Sequence, residues 1–166
     1  MKKYILTFII FICALLLEGC TIANTPTAKT EELLSNYQRL DKKININYYD
    51  LSIDRNLSEQ VQKEYIKLIK DQYQNLSYEI KEEIIDGNTA TITTSIKVKD
   101  FKKIINNYNK NEYTTEEYHN LIIDDLKDAK DKVTYTIDFT LIKDSEGNWN
   151  IDDLTNEMKE KLLGIN

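Results

Sequence analysis

Apolar and polar positions recur with helical spacing through the first third of this chain. The pattern predicts a first helix over residues 31–42, with Thr30 as its N-cap. Residues 44–53 carry no clear period and predict either a second short helix or an irregular lid. Ser58 opens a better-defined helix. The apolar face of this helix holds Val61, Tyr65, Leu68, Ile69 and Leu76.

An alternation of period two follows and predicts a β-hairpin over residues 78–98. Its turn contains Asp86-Gly87-Asn88, a sequence typical of tight hairpin connections. A two-residue turn is one possible connection. We predict a three-residue loop instead, because its register gathers the apolar side chains on one face. That register pairs Ile84 with Ala90, Ile80 with Thr94 and Tyr78 with Ile96.

Helical spacing returns in residues 100–131, which read as a helical insert between the second and third strands. Thr114 and Glu117 have the spacing of a capping box. Residues 133–141 alternate strictly and predict the third strand, and Trp149 begins the fourth. A short C-terminal helix is expected at about 153–163. The predicted class is α+β, with helices packed on one face of a curved antiparallel sheet of about four strands.

The N-terminal segment has the layout of an export signal. Two lysines precede an apolar run over residues 5–17, which is short for a membrane span. The run ends in Leu17-Glu18-Gly19-Cys20, which resembles the lipobox of bacterial lipoproteins, although Glu18 departs from it. The resemblance implies cleavage after Gly19 and lipid attachment to Cys20. We therefore expect a signal peptide over 1–19, a lipidated tether over 20–29 and a single domain over 30–166.

Charge and cysteine content narrow the possible functions. The chain has 22 basic and 28 acidic residues, for a net charge of −6. Removal of residues 1–19 leaves 20 basic and 27 acidic residues, because that segment contains two lysines and Glu18. An acidic domain of this kind does not predict nucleic acid as a partner. Cys13 would leave with the signal and Cys20 would carry lipid, so a disulfide is not expected.

Two short segments resemble one domain family. Residues 84–92, with Asp86-Gly87-Asn88, and residues 144–154, with Gly147-Asn148-Trp149, are similar to the two hairpins of nuclear transport factor 2-like (cystatin-like cone) domains. The resemblance spans roughly residues 30–154. It implies a small lipoprotein of Gram-positive type with a cone domain and no assigned function. It also implies that an enzyme of this family would work inside the cone with an Asp/His or Tyr/Asp pair.

The candidate catalytic and metal-binding residues are few. His119, the only histidine, follows Glu116, Glu117 and Tyr118, and is predicted to be a solvated helix residue. Asp138 alternates with the apolar face of its strand, so it becomes a site candidate only if both sheet faces are covered. Residues 144–148 resemble a calcium loop only mildly and predict a hairpin turn. No catalytic residue, cofactor site or metal site is therefore predicted.

Tyrosine is abundant, with 11 residues, and suits binding surfaces because it offers a large amphipathic contact area. The alternative is that these side chains sit at the edge of the core. The candidate binding residues are Tyr48, Tyr49, Tyr108, Tyr113 and Tyr118.

Three functions remain open from the sequence. The first is a non-enzymatic, membrane-anchored lipoprotein on the extracytoplasmic face, which binds a protein or another partner of the cell envelope through the concave sheet face or the insert over 100–131. The second is a carrier or sensor for a small ligand, with an apolar pocket between helices and sheet. The third and weakest is a hydrolase or isomerase of the cone type, because no acid–base pair is visible.

Overall fold

The computed structural model describes residues 23–52 and 54–166, and confirms the predicted α+β class. Within this range, no helix is both long and apolar enough to cross a bilayer. The helices are α1 (Pro26–Arg39), α2 (Glu59–Gln74), α3 (Phe101–Ile105), α4 (Thr115–Lys127) and α5 (Asn156–Leu163). The strands are β1 (Ser77–Asp86), β2 (Thr89–Lys99), β3 (Lys132–Lys143) and β4 (Trp149–Ile151). Helices α3 and α4 lie between β2 and β3 in the chain.

The first helix begins five residues earlier than predicted. Its N-cap is Thr25, whose side chain accepts a hydrogen bond from the Ala28 amide, and Pro26 occupies the first turn. A proline at this position loses no helical hydrogen bond and has the φ that a helix needs. Thr30, the predicted cap, is buried and donates its hydroxyl proton to the Pro26 carbonyl. The predicted tether over 20–29 is therefore too long, because its last residues belong to α1 and its N-cap.

The four strands form an antiparallel meander in the order β1-β2-β3-β4. Tyr78 pairs with Ile96 and Ile80 with Thr94, as predicted, but a bulge between Ile80 and Glu82 then shifts the register. Beyond the bulge Ile85, and not Ile84, lies opposite Ala90, and the connecting loop has two residues, Gly87 and Asn88. The predicted three-residue loop is wrong because the extra residue sits in the strand as a bulge.

One face of the sheet carries the main core and the other is open. Residues of β2 alternate between buried and more accessible positions, which places Ile92 and Ile96 against the helices. Leu34 of α1, Ile69 of α2 and Leu162 of α5 pack against this face with no exposed surface. The opposite face is rich in threonine. Asp138 lies there and is exposed, as its alternation predicts, and it accepts a hydrogen bond from the Thr93 hydroxyl.

A second apolar cluster forms at the end of the sheet from which the insert emerges. Phe101, directly after β2, is fully buried there, together with Ile122 and Leu126 of α4. Helix α2 contributes to both clusters. Its C-terminal half, with Ile69, faces the sheet, and its N-terminal half, with Tyr65, faces the insert. The insert therefore packs on α2 and has its own core.

Candidate functional site

Three side chains form a continuous hydrogen-bonded chain between α2, α4 and the loop before α2. The Tyr65 hydroxyl lies 2.7 Å from Nδ1 of His119, and Nε2 of His119 lies 2.7 Å from Oδ2 of Asp54. Lys110 of the insert contacts both oxygens of Asp54, at 2.5 and 2.6 Å. Asp54 and Tyr65 lie in and just before α2, whereas Lys110 and His119 belong to the insert, so the fold brings two distant parts of the chain together in this group.

Helix α4 holds His119 in place from its first turns. The predicted capping box is present, because Thr114 accepts from the Glu117 amide and Glu117 accepts from the Thr114 amide. Both reciprocal bonds satisfy amides that a helix start otherwise leaves unpaired. His119 follows one half-turn later and is 2% exposed. Its ring also meets Tyr65 and Tyr118 edge-on, with centroids 5.7 and 5.1 Å away.

The hydrogen bonds define one consistent arrangement for a neutral imidazole. Tyr65 donates its hydroxyl proton to Nδ1 of His119, and the Nε2–H group donates to Asp54. Burial raises the pKa of Tyr65, so the phenol keeps its proton and remains a donor. The ammonium of Lys110, and secondarily His119, hold the pKa of Asp54 below its ordinary value. Asp54 is therefore the anionic end of the group.

The position of His119 contradicts its prediction as a solvated helix residue. Its neighbours in sequence are polar, but residues three, four and seven positions later are Ile122, Ile123 and Leu126, and all three are buried. This spacing places His119 on the apolar face of α4. The sequence thus contained a signal for burial. It held no signal for Asp54, which lies 65 residues away.

The geometry indicates that this group has a structural role, which is to hold parts of the fold together. Both ring nitrogens of His119 already have protein partners, and Tyr65 and His119 are each 2% exposed. A general base needs a nitrogen within reach of a substrate proton. The arrangement instead joins the loop at Asp54 to the insert by charge-assisted hydrogen bonds, and joins α2 to the insert by the Tyr65–His119 hydrogen bond. We call these four residues, Asp54, Tyr65, Lys110 and His119, the histidine clamp.

A small surface cavity of about 240 Å³ borders the clamp. Leu57, Val61 and Thr115 line it beside His119. Pockets for drug-sized ligands usually measure about 300–1,000 Å³. This cavity is therefore suited to a side chain or a few water molecules.

The five candidate tyrosines do not form one surface. Tyr48 is buried, stacks on Tyr49 at 4.1 Å and donates to the Arg55 carbonyl, so it belongs to the core edge. Tyr108 and Tyr118 are half-buried. A hydrogen bond to Asp125 raises the pKa of Tyr108 to about 12. The well-exposed members are Tyr49 and Tyr113, at 44% and 39%.

The turn at residues 144–148 is a hairpin turn, as predicted. Oδ1 of Asp144 accepts hydrogen bonds from the backbone amides of Glu146 and Asn148, at 2.9 and 2.8 Å. The backbone amide of Asn148 is the foremost reason why the pKa of Asp144 is lowered. Among residues 23–52 and 54–166, no group of three or more His, Cys, Asp or Glu side chains is placed to hold a metal ion.

Gly19 and Cys20, the predicted cleavage and lipid-attachment residues, lie outside the described residues. No protein-family model matches this chain, and neither a curated protein nor a solved structure matches it.

Proposed function

We propose that this protein is a membrane-anchored lipoprotein of the extracytoplasmic face, and that its domain is a non-enzymatic binding module of the cell envelope. The observation that carries the proposal is Leu17-Glu18-Gly19-Cys20 behind the apolar run over 5–17. Diacylglyceryl transfer and N-terminal acylation would place two or three acyl chains on Cys20. Two or more chains hold a protein on a membrane stably, whereas one does so only marginally.

The position at which the folded domain begins supports the anchor. The Asn24 side chain accepts a hydrogen bond from the Trp149 amide and donates one to the Gly147 carbonyl, at 2.9 and 3.0 Å. Helix α1 starts two residues later, at Pro26. The described fold thus begins four residues after Cys20, and a segment of this length can serve as the tether between the lipid and the domain.

Two features favour a binding module over a carrier or an enzyme. The space between helices and sheet is filled by side chains such as Leu34, Ile92 and Phe139, each with no exposed surface. The histidine clamp has no ring nitrogen directed at solvent. We extend the proposal to a cone domain of the nuclear transport factor 2-like type, since the two family-like segments fold as the β1–β2 and β3–β4 hairpins.

The partner surface that we propose lies on the insert end of the domain. Tyr113 is exposed beside Tyr108, with ring centroids 6.3 Å apart. Tyr49 is exposed beside Arg55, whose guanidinium lies 5.8 Å from the ring. The Asp54–Lys110 ion pair brings the loop that follows Tyr49 next to the insert. Exposed tyrosine and arginine are the residue types that dominate binding energy at protein interfaces.

Cysteine substitution tests the anchor. Cys20→Ala in the full chain should abolish lipid incorporation and leave the precursor uncleaved, so that the protein runs at 166 residues. Cys13→Ala is the matched control, because Cys13 lies inside the apolar run and should not change processing. Metabolic labelling with an alkyne fatty acid reads out both variants. Labelled Cys20→Ala protein would contradict the proposal.

Crosslinking in the host cell tests the binding surface. A Tyr49→Ser/Tyr113→Ser variant should lose about tenfold or more of its crosslinked partner, since truncating a tyrosine hot spot costs on the order of 2 kcal/mol. Leu121→Ser is the control, because Leu121 lies on the same insert and is exposed to the same extent as Tyr113, at 39%. An equal yield of partner for the double variant and the control would contradict this surface.

A further inference from the structure

Three exposed isoleucines lie at one end of the sheet, opposite the insert. Ile84 and Ile85 close β1, and Ile142 nearly closes β3. Their exposed fractions are 54%, 54% and 50%, the largest among the big apolar side chains of the described residues. Single exposed apolar residues are ordinary, but several at one tip indicate a contact surface. We call these three residues the isoleucine tip.

The tip is apolar on both faces of the sheet. Thr89 of β2 lies between Asp86 of β1 and Ile142 of β3, and Thr91 lies between Ile84 and Thr140. Alternate residues of a strand share a face, so Ile84 and Ile142 both lie on the open face. Ile85 pairs with Ala90 and points to the opposite face. A backbone hydrogen bond from Lys143 to Asn88, at 2.8 Å, ties the hairpin turn to β3. The apolar side chains therefore surround the rigid end of a three-stranded ribbon.

The N-terminus of the folded domain lies at this same end. Asn24 is bound to Trp149, and Trp149 pairs with Lys143, the residue after Ile142. The Thr27 hydroxyl lies 2.9 Å from Glu83, the residue before Ile84. Four backbone steps separate Cys20 from Asn24, so at full extension they span about 14 Å. A lipid on Cys20 therefore keeps this end of the sheet close to the headgroup layer, which is about 5–8 Å deep.

We propose that the isoleucine tip inserts into the bilayer that holds the Cys20 lipid, and so fixes the domain upright with the insert directed away from the membrane. This inference rests on the proposed lipid anchor. The charges beside the tip favour apolar contact over attraction to anionic lipid, because Asp86, Asp144 and Glu146 outnumber Lys143. Contact should therefore persist in neutral phosphatidylcholine and at high salt.

Depth-dependent quenching tests this orientation in the lipidated protein. The mature chain would have no free thiol, so Ile142→Cys can carry a single NBD fluorophore. The protein is reconstituted in phosphatidylcholine vesicles that contain shallow nitroxide lipids. Thr134→Cys is the matched control, because it lies exposed on the same strand and face, eight residues away. At about 3.4 Å per residue it stands about 27 Å from the tip.

Quenching at position 142 should exceed that at position 134 by at least about threefold, since an interfacial group lies about 5–10 Å into the headgroup boundary. Adding Ile84→Asp/Ile85→Asp to the 142-labelled protein should lower its quenching to the control level. These exposed positions should leave the melting temperature close to that of the parent.

Two results would overturn this inference without contradicting the proposed lipid anchor. Equal quenching at both positions, on protein whose acylated Cys20 is verified by intact mass, would show that the tip does not reach lipid. A blue-shifted fluorophore at position 142 without nitroxide quenching would show that a second copy of the chain covers the tip. An unmodified Cys20 in the same mass spectrum would overturn both this inference and the lipid anchor.

Discussion

At the scale of single residues, one glycine fixes the C-terminal helix to the sheet. Gly164 has φ +73° and ends α5, and a Cβ atom there would lie 2.1 Å from the Lys99 carbonyl oxygen. Gln72, fully buried, completes the junction. Its side-chain NH₂ donates to the Lys99 and Leu163 carbonyls, at 2.8 and 2.7 Å, and its oxygen accepts from the Lys99 amide. The junction joins α2, β2 and α5 with every polar group of Gln72 used.

Gly164→Ala should therefore destabilise the domain by about 2–5 kcal/mol, from left-handed backbone strain together with the clash against backbone. Gly87→Ala is the control, because Gly87 also has a positive φ, +60°, but has no heavy atom within 4 Å of the added Cβ. It should cost only about 1–2 kcal/mol. Urea unfolding of both variants measures the difference. Equal losses would contradict the close approach at Gly164.

His119 is the residue at which sequence and structure disagree most. His119→Ala should cost about 2–4 kcal/mol, since it leaves a cavity and removes the partners of Tyr65 and Asp54. The neighbouring exposed residue supplies the control, and Asn120→Ala should change stability by less than about 0.5 kcal/mol. Thermal or urea unfolding reads out the pair. If His119→Ala lowered the free energy of unfolding as little as Asn120→Ala does, His119 would be solvated, as the sequence predicts.

At the scale of elements, the histidine clamp attaches the insert to α2 and makes that attachment sensitive to acid. The pKa of Asp54 is lowered in the folded protein, mainly by Lys110. The unfolded chain therefore binds more protons than the folded chain near the ordinary value of 3.8. The stability that Asp54 contributes is present above this pH and is lost as the pH falls through the lowered pKa.

Asp54→Asn should accordingly reduce stability at pH 6 and flatten the loss of stability between pH 6 and pH 3, since the amide cannot be protonated in this range. Asp138→Asn is the control, because it makes the same change of charge on the open face of the sheet, where Asp138 is exposed and accepts a hydrogen bond from the neutral Thr93 hydroxyl. Unfolding free energies from urea titrations at each pH give the two slopes. An unchanged slope for Asp54→Asn would mean that the clamp does not stabilise the folded state electrostatically.

The helices and strands also show how much of the fold can be predicted from the sequence. Strong periods and caps predict most elements, as at Ser58, Thr114 and β3, because local side-chain pattern and local capping determine them. The hairpin register was predictable only near Tyr78 and Ile80. A bulge depends on how the strand bends over the helices, which no local pattern specifies. The predicted start of α1 is wrong because Thr25 and Thr30 are both plausible caps, and Pro26 in the first turn favours Thr25.

The candidate site was less accessible to sequence than the fold was. The spacing of His119 to Ile122 and Leu126 predicts burial once those residues define the helix face. His119 is separated from Tyr65 by 54 positions and from Asp54 by 65 positions. Only tertiary packing brings these three residues together. Two of the five tyrosines proposed as a surface are well exposed, because the others complete packing around the insert.

At the scale of the whole molecule, the domain has two distinct ends. The folded domain begins beside the isoleucine tip, where Asn24 forms hydrogen bonds with the β3–β4 hairpin. The insert, with its own apolar cluster and the exposed Tyr113, extends the opposite end of the sheet. In the account proposed here, the first end faces the membrane and the second meets a partner in the envelope.

The intact mass of the protein extracted from host membranes tests the lipid anchor. We expect a chain that begins at residue 20, lacks residues 1–19 and carries an added diacylglyceryl group located on Cys20 by fragmentation. A membrane-extracted chain that retains residues 1–19, or that begins at residue 20 with an unmodified thiol, would contradict the lipid anchor.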